Sequence, residues 1–355
     1  MATNPPPRSP PKAVFVTGAN GYIGLAVCRA FEHAGYKVFG LIRRPEAARD
    51  LVLNEITPVV GTFTDHGFLE ALFHQKKTFD VVVNTTEAFP GYAAHFEQAL
   101  ALVRKIAEVS NANSVRPLVL WSSGCKDYGM TLRHGDDHLE PHTEEAPLKT
   151  IDALAERASS CPRVFDHEDL FDAAVLRPTN VYGYSSSYYG AMLDYAASAA
   201  AAADGSATLL IPYDPNNIQH ALHVDDCAAA YVALAEHAPR SAVSRQAFNI
   251  SSHRYETVRE VAVALAREYG MAEGARFVAA EEAPATFPGG LHMVFGWSQW
   301  VGSEKIRRLT GWDDRRALWS EDLGTYRRAY EAEMERGNDN IGSIRARMAG
   351  ALQGK

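Results

Sequence analysis

Along the first 120 positions, short apolar runs that are typical of strands take turns with segments in which apolar residues recur at helical spacing. An apolar, β-branched run at 13–17 predicts a strand, and apolar residues at helical spacing between 23 and 34 predict a helix that closes at Gly35. A second apolar run at 36–42 predicts the next strand. Strand, helix and strand within about thirty residues form a βαβ unit, which implies a parallel sheet with a right-handed crossover.

The same alternation continues beyond this unit. Further strands are predicted over 59–61, 80–84 and 117–121, and further helices over 68–74 and 93–109. Valine-rich strands with little alternation are typical of a parallel sheet that helices cover on both faces. The pattern therefore predicts an α/β fold with a Rossmann-type doubly wound parallel sheet, in which ligands bind beyond the carboxyl ends of the strands.

The turn between the first strand and the first helix contains three glycines, Gly18, Gly21 and Gly24. In such turns one glycine permits the tight bend, a second lets the backbone approach a pyrophosphate, and a third lets helix and strand pack closely. Free N–H groups at the start of the helix then bind phosphate oxygens. Because a strand precedes this turn and a helix follows it, we expect a dinucleotide site here.

Charge and composition narrow the classes of function. The chain has 35 Lys and Arg against 43 Asp and Glu, a net charge of −8, and it lacks a long basic run, which argues against a nucleic-acid partner. The four cysteines are widely spaced, which predicts no disulfide framework and favours a reducing, cytoplasmic location. The histidines are irregularly spaced and predict no metal site. No apolar run predicts a membrane helix, and the proline-rich residues 1–12 are expected to form a flexible leader.

Four segments carry a resemblance to a known superfamily. Residues 17–24 read T-G-A-N-G-Y-I-G, 122–129 read S-S-G-C-K-D-Y-G, 176–183 read L-R-P-T-N-V-Y-G, and 223–228 read H-V-D-D-C-A. In this order they resemble the extended short-chain dehydrogenases/reductases, which include sugar-nucleotide epimerases, dehydratases and dihydroflavonol-type reductases. The resemblance implies a dinucleotide-binding domain mainly over 13–180, a smaller C-terminal substrate-binding lobe mainly over 181–335 that is interleaved with it, and an extension over 336–355.

The resemblance also implies which residues hold a nicotinamide cofactor, namely Gly18, Asn20, Gly21, Tyr22, Ile23, Gly24, Thr85, Thr86, Ser122, Pro178 and Asn180. Where the second strand of these proteins commonly ends in an acid that binds the ribose hydroxyls of NAD, this sequence has Arg43 and Arg44. Paired guanidinium groups bind a phosphate bidentately, so the pair favours NADP(H) over NAD(H). The alternative is that both arginines form a solvated helix-start surface, in which case NAD remains an option.

The catalytic positions depart from the pattern of the superfamily, whose redox members use a Ser or Thr, a Tyr, and a Lys four residues after that Tyr. None of the fifteen tyrosines of this chain is followed by a lysine at that spacing. Counting from the landmarks places Gly124, Ala153 and Arg157 at the three positions. An alanine cannot exchange a proton, and an arginine is a poor acid–base group although it binds phosphate or ribose well. The usual triad is therefore predicted to be degenerate.

Three functions stay open at this point. In the first, an enzyme transfers hydride to or from a small organic metabolite with a substitute proton donor or with protonation from solvent. In the second, the cofactor is retained while the site isomerises, cyclises, dehydrates or epimerises its substrate without net redox change. In the third, the protein is a non-enzymatic sensor of the cofactor. The candidate catalytic residues are Ser123, Lys126, Tyr128, Arg157 and Tyr182.

Two aromatic segments late in the chain predict where the substrate binds. Tyrosine and tryptophan offer a flat apolar face with a polar tip, so Tyr184, Tyr188 and Trp297 are the candidates for substrate contact. No Lys or Arg occurs between Phe277 and Lys305. Since sugar-nucleotide enzymes need cations for the diphosphate of their substrate, we expect a small, largely apolar and uncharged molecule instead. Both a monomer and a homodimer are compatible with the sequence.

Overall fold

A computed structural model describes residues 10–202, 207–284 and 287–350. At its centre lies a sheet of seven strands, β1 (Ala13–Thr17), β2 (Lys37–Ile42), β3 (Thr57–Val60), β4 (Val81–Asn84), β5 (Leu118–Ser122), β6 (Asp172–Pro178) and β11 (Gln246–Ile250). All neighbouring pairs are parallel, and the spatial order is β11, β6, β5, β4, β1, β2, β3. The order reverses between β1 and β4, which is where doubly wound sheets bind ligands. The predicted fold class is confirmed.

Helices cover both faces of this sheet and build the rest of the molecule. They are α1 (Tyr22–His33), α2 (Ala48–Val52), α3 (Phe68–Gln75), α4 (Tyr92–Ala112), α5 (Asp152–Ser160), α6 (Tyr189–Ala201), α7 (Val224–Glu236), α8 (Val258–Glu268), α9 (His292–Phe295), α10 (Glu304–Thr310), α11 (Leu323–Glu335) and α12 (Asp339–Gly350). None of them, over the described residues, has the length and apolar character needed to cross a bilayer.

The central strands are apolar throughout because each face of the sheet has its own core. Val14 and Val16 of β1 pack into the core that holds α1 and α7, whereas Phe15 between them packs into the core that holds α4. All three side chains are completely buried. Successive side chains of a strand point to opposite faces, so a strand buried on both sides must be hydrophobic at every position.

The remaining strands are short and pair in twos. They are β7 (Asn180–Tyr182) with β10 (Ala221–His223), β9 (Ile218–Gln219) with β12 (Glu256–Thr257), and β8 (Leu209–Ile211) with β13 (Ala275–Phe277). Residues of α6, α8, α9 and α11 form a third core beside them. The strand β11 lies in the main sheet, although β7 to β10 precede it in the chain and β12 and β13 follow it. The polypeptide therefore crosses between the two halves more than once.

A long connection between β5 and α5 is held in place by the segment 297–302. His142 N–H donates to the carbonyl of Trp300 at 2.9 Å, and Gly302 N–H donates to the carbonyl of His142 at 3.0 Å. The side-chain amide of Gln299 donates to the carbonyls of Cys125 and Gly129 at 2.7 and 2.6 Å. These bonds fix Trp297 and its neighbours against the carboxyl end of β5.

Element bounds differ from the sequence-based expectation at several ends. The strand expected at 59–61 runs from Thr57 to Val60 instead. Gly61 follows its end and donates an N–H hydrogen bond to the carbonyl of Ile42. The helix expected at 93–109 extends to Ala112 through polar residues that apolar spacing does not detect. The expected leader falls outside the described residues up to position 9, and the domain bounds at 180 and 335 stay predictions.

Candidate active site

The glycine turn after β1 is shaped so that only glycine fits at two of its positions. Gly18 adopts φ +70°, and a Cβ there would lie 2.8 Å from Cγ2 of Thr86. A Cβ on Gly24 would lie 2.0 Å from the carbonyl oxygen of Gly18. No side chain caps the start of α1, whose N-cap is Gly21, so its first N–H groups are available to an anion. This geometry fits a bound dinucleotide.

The other predicted residues of the turn differ in what they contact. Asn20 is exposed and Ile23 is half-buried. The hydroxyl of Tyr22 donates to the carbonyl of Gly183 at 2.7 Å, which ties α1 to the segment after β7. Burial raises the pKa of Tyr22 well above its ordinary value, so this hydroxyl is a fixed structural donor.

Hydrogen bonds link the carboxyl ends of β1 and β4. Thr17 Oγ1 and Thr86 Oγ1 donate to Asn84 Oδ1 at 2.6 and 2.8 Å, and Thr86 Oγ1 lies 2.9 Å from His95 Nε2. Thr85 Oγ1 donates to the carbonyl of Thr17 at 2.7 Å. Among the described residues, Asn84 Nδ2 is buried without a partner. A buried unpaired donor is costly, so this amide is a candidate contact for a bound cofactor.

The two arginines after β2 are both exposed but face different surroundings. Arg43 directly follows β2; burial lowers the pKa of His95, and the charge of Arg43 acts in the same direction. Arg44 Nη2 instead forms an ion pair with Asp339 Oδ2 of α12 at 2.8 Å. One donor of Arg44 is therefore already bonded within the chain, and the choice between a phosphate site and a solvated surface stays a prediction.

An ion-pair cluster occupies the place expected for the triad. A Cβ on Gly124, at the end of β5, would lie 3.1 Å from Nη2 of Arg157, whereas Ala153 is exposed one turn earlier on α5. The Arg157 side chain is only 8% exposed; its Nε and Nη2 donate to Asp127 Oδ1 at 2.9 and 2.7 Å, and its Nη1 bonds to Glu87. Burial opposes the charge, but the two carboxylates outweigh it and raise the pKa of Arg157.

Ser123 belongs to the same cluster. Its buried hydroxyl donates to the second carboxylate oxygen of Asp127. Its proton is therefore committed to Asp127, which argues against Ser123 as the donor to a substrate. Sequence reasoning missed Asp127 and Glu87, although each is an acid that closely follows a central strand at its carboxyl end.

Lys126, which lies beside this cluster, has no ion-pair partner among the described residues. The side chain is half-buried, and its Nζ lies 4.7 Å from the centroid of a Trp297 ring. Burial, and then repulsion by Arg157, lowers the pKa of Lys126 to about 7. A lysine with that pKa can both give and take a proton near neutral pH.

The two tyrosines among the catalytic candidates are held elsewhere. Tyr128 accepts from Arg177 Nη1 and donates to Asn249 Oδ1, both at 2.8 Å. Tyr182 donates to the carbonyl of Ala317 at 2.8 Å. Both rings are at most 2% exposed, and burial raises the pKa of both. The burial and the hydrogen bonds of both hydroxyls therefore argue for structural roles.

The structure gives the three substrate candidates separate environments. Tyr184 donates to Asp225 Oδ2 at 2.6 Å and packs against Arg29, in an open groove of about 930 Å³ that runs beside α1 and α7. Tyr188 is half-buried at the start of α6. Trp297 is 7% exposed beneath Lys126, and its Nε1 has no partner among the described residues. Of the three candidates, Trp297 is thus the one that lies against Lys126.

The last predicted cofactor residues lie at the ends of neighbouring strands. The Ser122 hydroxyl is 2.7 Å from that of buried Tyr231, while Pro178 closes β6 and Asn180 opens β7. No group of three or more His, Cys, Asp or Glu with metal-binding geometry occurs in residues 10–202, 207–284 and 287–350. The crevice is thus built from backbone, hydroxyl and amide groups, with Lys126 and Arg157 as its cations.

The family is shown by comparison with known sequences. A model of the NAD dependent epimerase/dehydratase family matches residues 14–251, from the first strand to the end of the main sheet. The chain belongs to this family. The resemblance drawn from the motifs is confirmed, and membership makes the protein an NAD(P)-dependent, epimerase/dehydratase-like enzyme.

Solved structures of similar fold span almost the whole chain. A putative epimerase from Burkholderia cenocepacia J2315 is 22% identical, with a TM-score of 0.63 over 91% of this chain and 99% of that one. The dTDP-glucose 4,6-dehydratase of Bacillus anthracis, in complex with NAD, is 17% identical, with a TM-score of 0.67 over 91% and 98%. The UDP-glucose 4-epimerase of Bifidobacterium longum, in complex with NAD+ and UDP, is 17% identical, with a TM-score of 0.65 over 93% and 100%. At these identities the likeness shows the fold alone.

A curated relative covers only part of the chain. An uncharacterized protein of Schizosaccharomyces pombe is 33% identical over 112 residues, which are 31% of this chain and 36% of the relative. The match thus spans about a third of the relative's length and assigns no activity.

Proposed function

We propose that this family member catalyses NADP(H)-dependent hydride transfer on a small, largely apolar organic molecule, with Lys126 as the group that exchanges the proton. The observation that carries the proposal is the position of its ammonium, 4.7 Å from the ring of Trp297 and without an ion-pair partner in the described chain. Lys126 follows the same strand end that carries the family's usual Ser or Thr position, here Gly124. It is therefore the proton-transferring side chain that best replaces the missing tyrosine.

The residues around the crevice fit a dinucleotide. The turn at Gly18 and Gly24 has no room for a side chain. Within the described part of the chain, the first N–H groups of α1 are uncapped and the side-chain amide of Asn84 is unpaired. Arg43 and Arg44 at the end of β2 supply the charge that a 2′-phosphate requires. A nicotinamide cofactor bound here supplies or accepts the hydride.

The chain's own groups handle the proton. In the direction of carbonyl reduction, Lys126 Nζ gives a proton to the oxygen as the carbon gains hydride, and the resulting neutral amine regains a proton from solvent. In the direction of alcohol oxidation the neutral amine takes the hydroxyl proton. Arg157 stays charged throughout because Asp127 and Glu87 both bind it. Its positive charge beside Lys126 favours the neutral amine and so makes the ammonium a stronger acid.

Variants of two matched lysines test the assignment. Lys126→Met keeps length and apolar contact but removes the proton, so NADPH should bind within about two-fold of wild type while turnover falls by about 100-fold or more. Lys305→Met is the control, because the ammonium of Lys305 also lies over an aromatic ring, that of Phe248 at 5.0 Å, outside the crevice. Full turnover in Lys126→Met would refute the proposal.

Cofactor binding and product analysis separate the redox function from the second candidate. Calorimetric titration should show tighter binding of NADPH than of NADH, and a panel of apolar ketones and aldehydes should produce a change at 340 nm with some member. The second candidate, isomerisation with retained cofactor, is favoured by the buried ion-pair cluster at Arg157, which lies where the usual triad is expected. Substrate conversion at constant mass without a change at 340 nm would establish that candidate instead.

A further inference from the structure

The C-terminal helix α12 bridges the cofactor-binding sheet and the smaller half of the molecule. On the sheet side, Asp339 pairs with Arg44 at 2.8 Å. On the other side, Arg345 binds Asp194 through Nε and Nη2 at 2.8 and 2.7 Å, and Asn340 Nδ2 donates to the carbonyl of Ser186 at 2.7 Å. One short helix therefore touches both a candidate cofactor residue and the segment after β7.

A second ion pair holds the chain just before α12 to the sheet. Arg336 Nη2 lies 2.7 Å from Asp50 Oδ1, and the two side chains are about half exposed. This pair involves no candidate cofactor residue. It therefore provides an exposed ion pair across the same boundary, in which the arginine lies on the C-terminal side and the acid on the sheet side.

The Arg44 pair puts a carboxylate where the proposed function needs a phosphate. A guanidinium binds either anion through the same N–H donors, so both compete for one site. The pair is weak as a structural contact, because the side chains of Arg44 and Asp339 are 65% and 79% exposed. An open cavity of about 580 Å³ lies beside it, lined by Arg44 and by α12 residues that include Gly342 and Ser343. There is thus room for a phosphate group once Asp339 moves away.

We propose that Asp339 competes with the 2′-phosphate of NADP(H) for Arg44, so that α12 sets how strongly the enzyme distinguishes NADP(H) from NAD(H). This inference rests on the proposed NADP(H) preference and adds a specificity-determining residue to it. NAD(H) carries hydroxyls at the same place and leaves the ion pair intact. Because coupling between two binding equilibria is reciprocal, NADP(H) should also loosen the attachment of α12 to the sheet.

Binding measurements on the full chain test the competition. Asp339→Asn should bind NADPH about two- to five-fold more tightly than wild type, as expected for removal of one exposed competing pair, with NADH affinity unchanged. Asp50→Asn, which breaks the neighbouring pair with Arg336, should change neither affinity. An unchanged NADPH affinity in Asp339→Asn, or an equal gain for both cofactors, overturns the inference.

Two further readouts separate this inference from the proposed function. In the wild-type protein, saturating NADPH should speed tryptic cleavage after Arg345 or Arg347, whereas NADH should not. In Asp339→Asn, NADPH should cause no such acceleration. Equal cleavage rates with both cofactors in the wild type would contradict the release of α12.

The variant Arg44→Met should bind NADPH more weakly than the wild type does. If it does not, and wild type binds both cofactors equally, the NADP(H) preference and this inference both fail. If the preference holds while Asp339→Asn is silent, only the inference fails.

Discussion

Removal of the buried guanidinium of Arg157 should destabilise the protein more than any surface change. In Arg157→Met the carboxylate of Asp127, which is 1% exposed, loses both N–H donors and keeps the hydroxyl of Ser123. Breaking a buried pair from one side costs about 3 to 5 kcal/mol, because the remaining charge is uncompensated. Glu87 adds little to this cost, since its side chain is 38% exposed and water can replace its partner. The total is a large part of an ordinary stability of about 5 to 15 kcal/mol.

A double variant shows whether the uncompensated charge is the cause. Asp127→Asn added to Arg157→Met removes that charge, so the double variant should lose only about 1 to 2 kcal/mol and be more stable than Arg157→Met alone. The free energies follow from urea denaturation monitored by tryptophan fluorescence. The control is Arg163→Met, which breaks the exposed pair with Glu97 at 2.7 Å and should cost less than about 1 kcal/mol.

Two results would refute this reasoning. A loss below about 1 kcal/mol in Arg157→Met would show that the cluster is solvated rather than buried. Losses that simply add in the double variant would show that Arg157 and Asp127 are not energetically coupled.

Three further changes probe the site. Lys126→Met should raise the melting temperature most below pH 7, where the folded wild-type protein must bury a charge. The gain in the free energy of unfolding is at most about 4 to 5 kcal/mol, and nearer 2 for a half-buried group, and it should fade as the pH rises from about 7 towards 10.4. Gly24→Ala places a Cβ 2.0 Å from the carbonyl oxygen of Gly18, so it should lower the free energy of unfolding by more than about 2 kcal/mol and abolish cofactor binding. Its control is Gly342→Ala, whose Cβ enters open space and which should leave the melting temperature unchanged or raise it. Tyr128→Phe should cost about 1 to 2 kcal/mol in urea and leave cofactor affinity unchanged by calorimetry.

Features that depend on local sequence could be predicted, and those that depend on distant partners could not. The turn at 18–24 and the strands around it follow from glycine spacing and apolar runs, which act over a few residues. The positions of Gly124 and Arg157 could be counted from motifs. Their environment could not, because Arg157 meets acids 30 and 70 positions away along the chain. The same distance hides the burial of Tyr128, whose partners come from β6 and β11.

The charges at the positions predicted for the triad argue against a site that has simply decayed. A buried arginine without partners would destabilise the fold, and so would a buried Asp127 without Arg157, so neither is tolerated alone. Here Arg157 has Asp127 and Glu87, Asp127 has also Ser123, and Gly124 leaves the space that the guanidinium fills. Lys126 differs from Arg157, because this half-buried cation lies against an aromatic face and has no ion-pair partner among the described residues. Of the two cations Arg157 and Lys126, only Lys126 has no carboxylate bound to it among the described residues, and the proposed proton transfer requires such an amine.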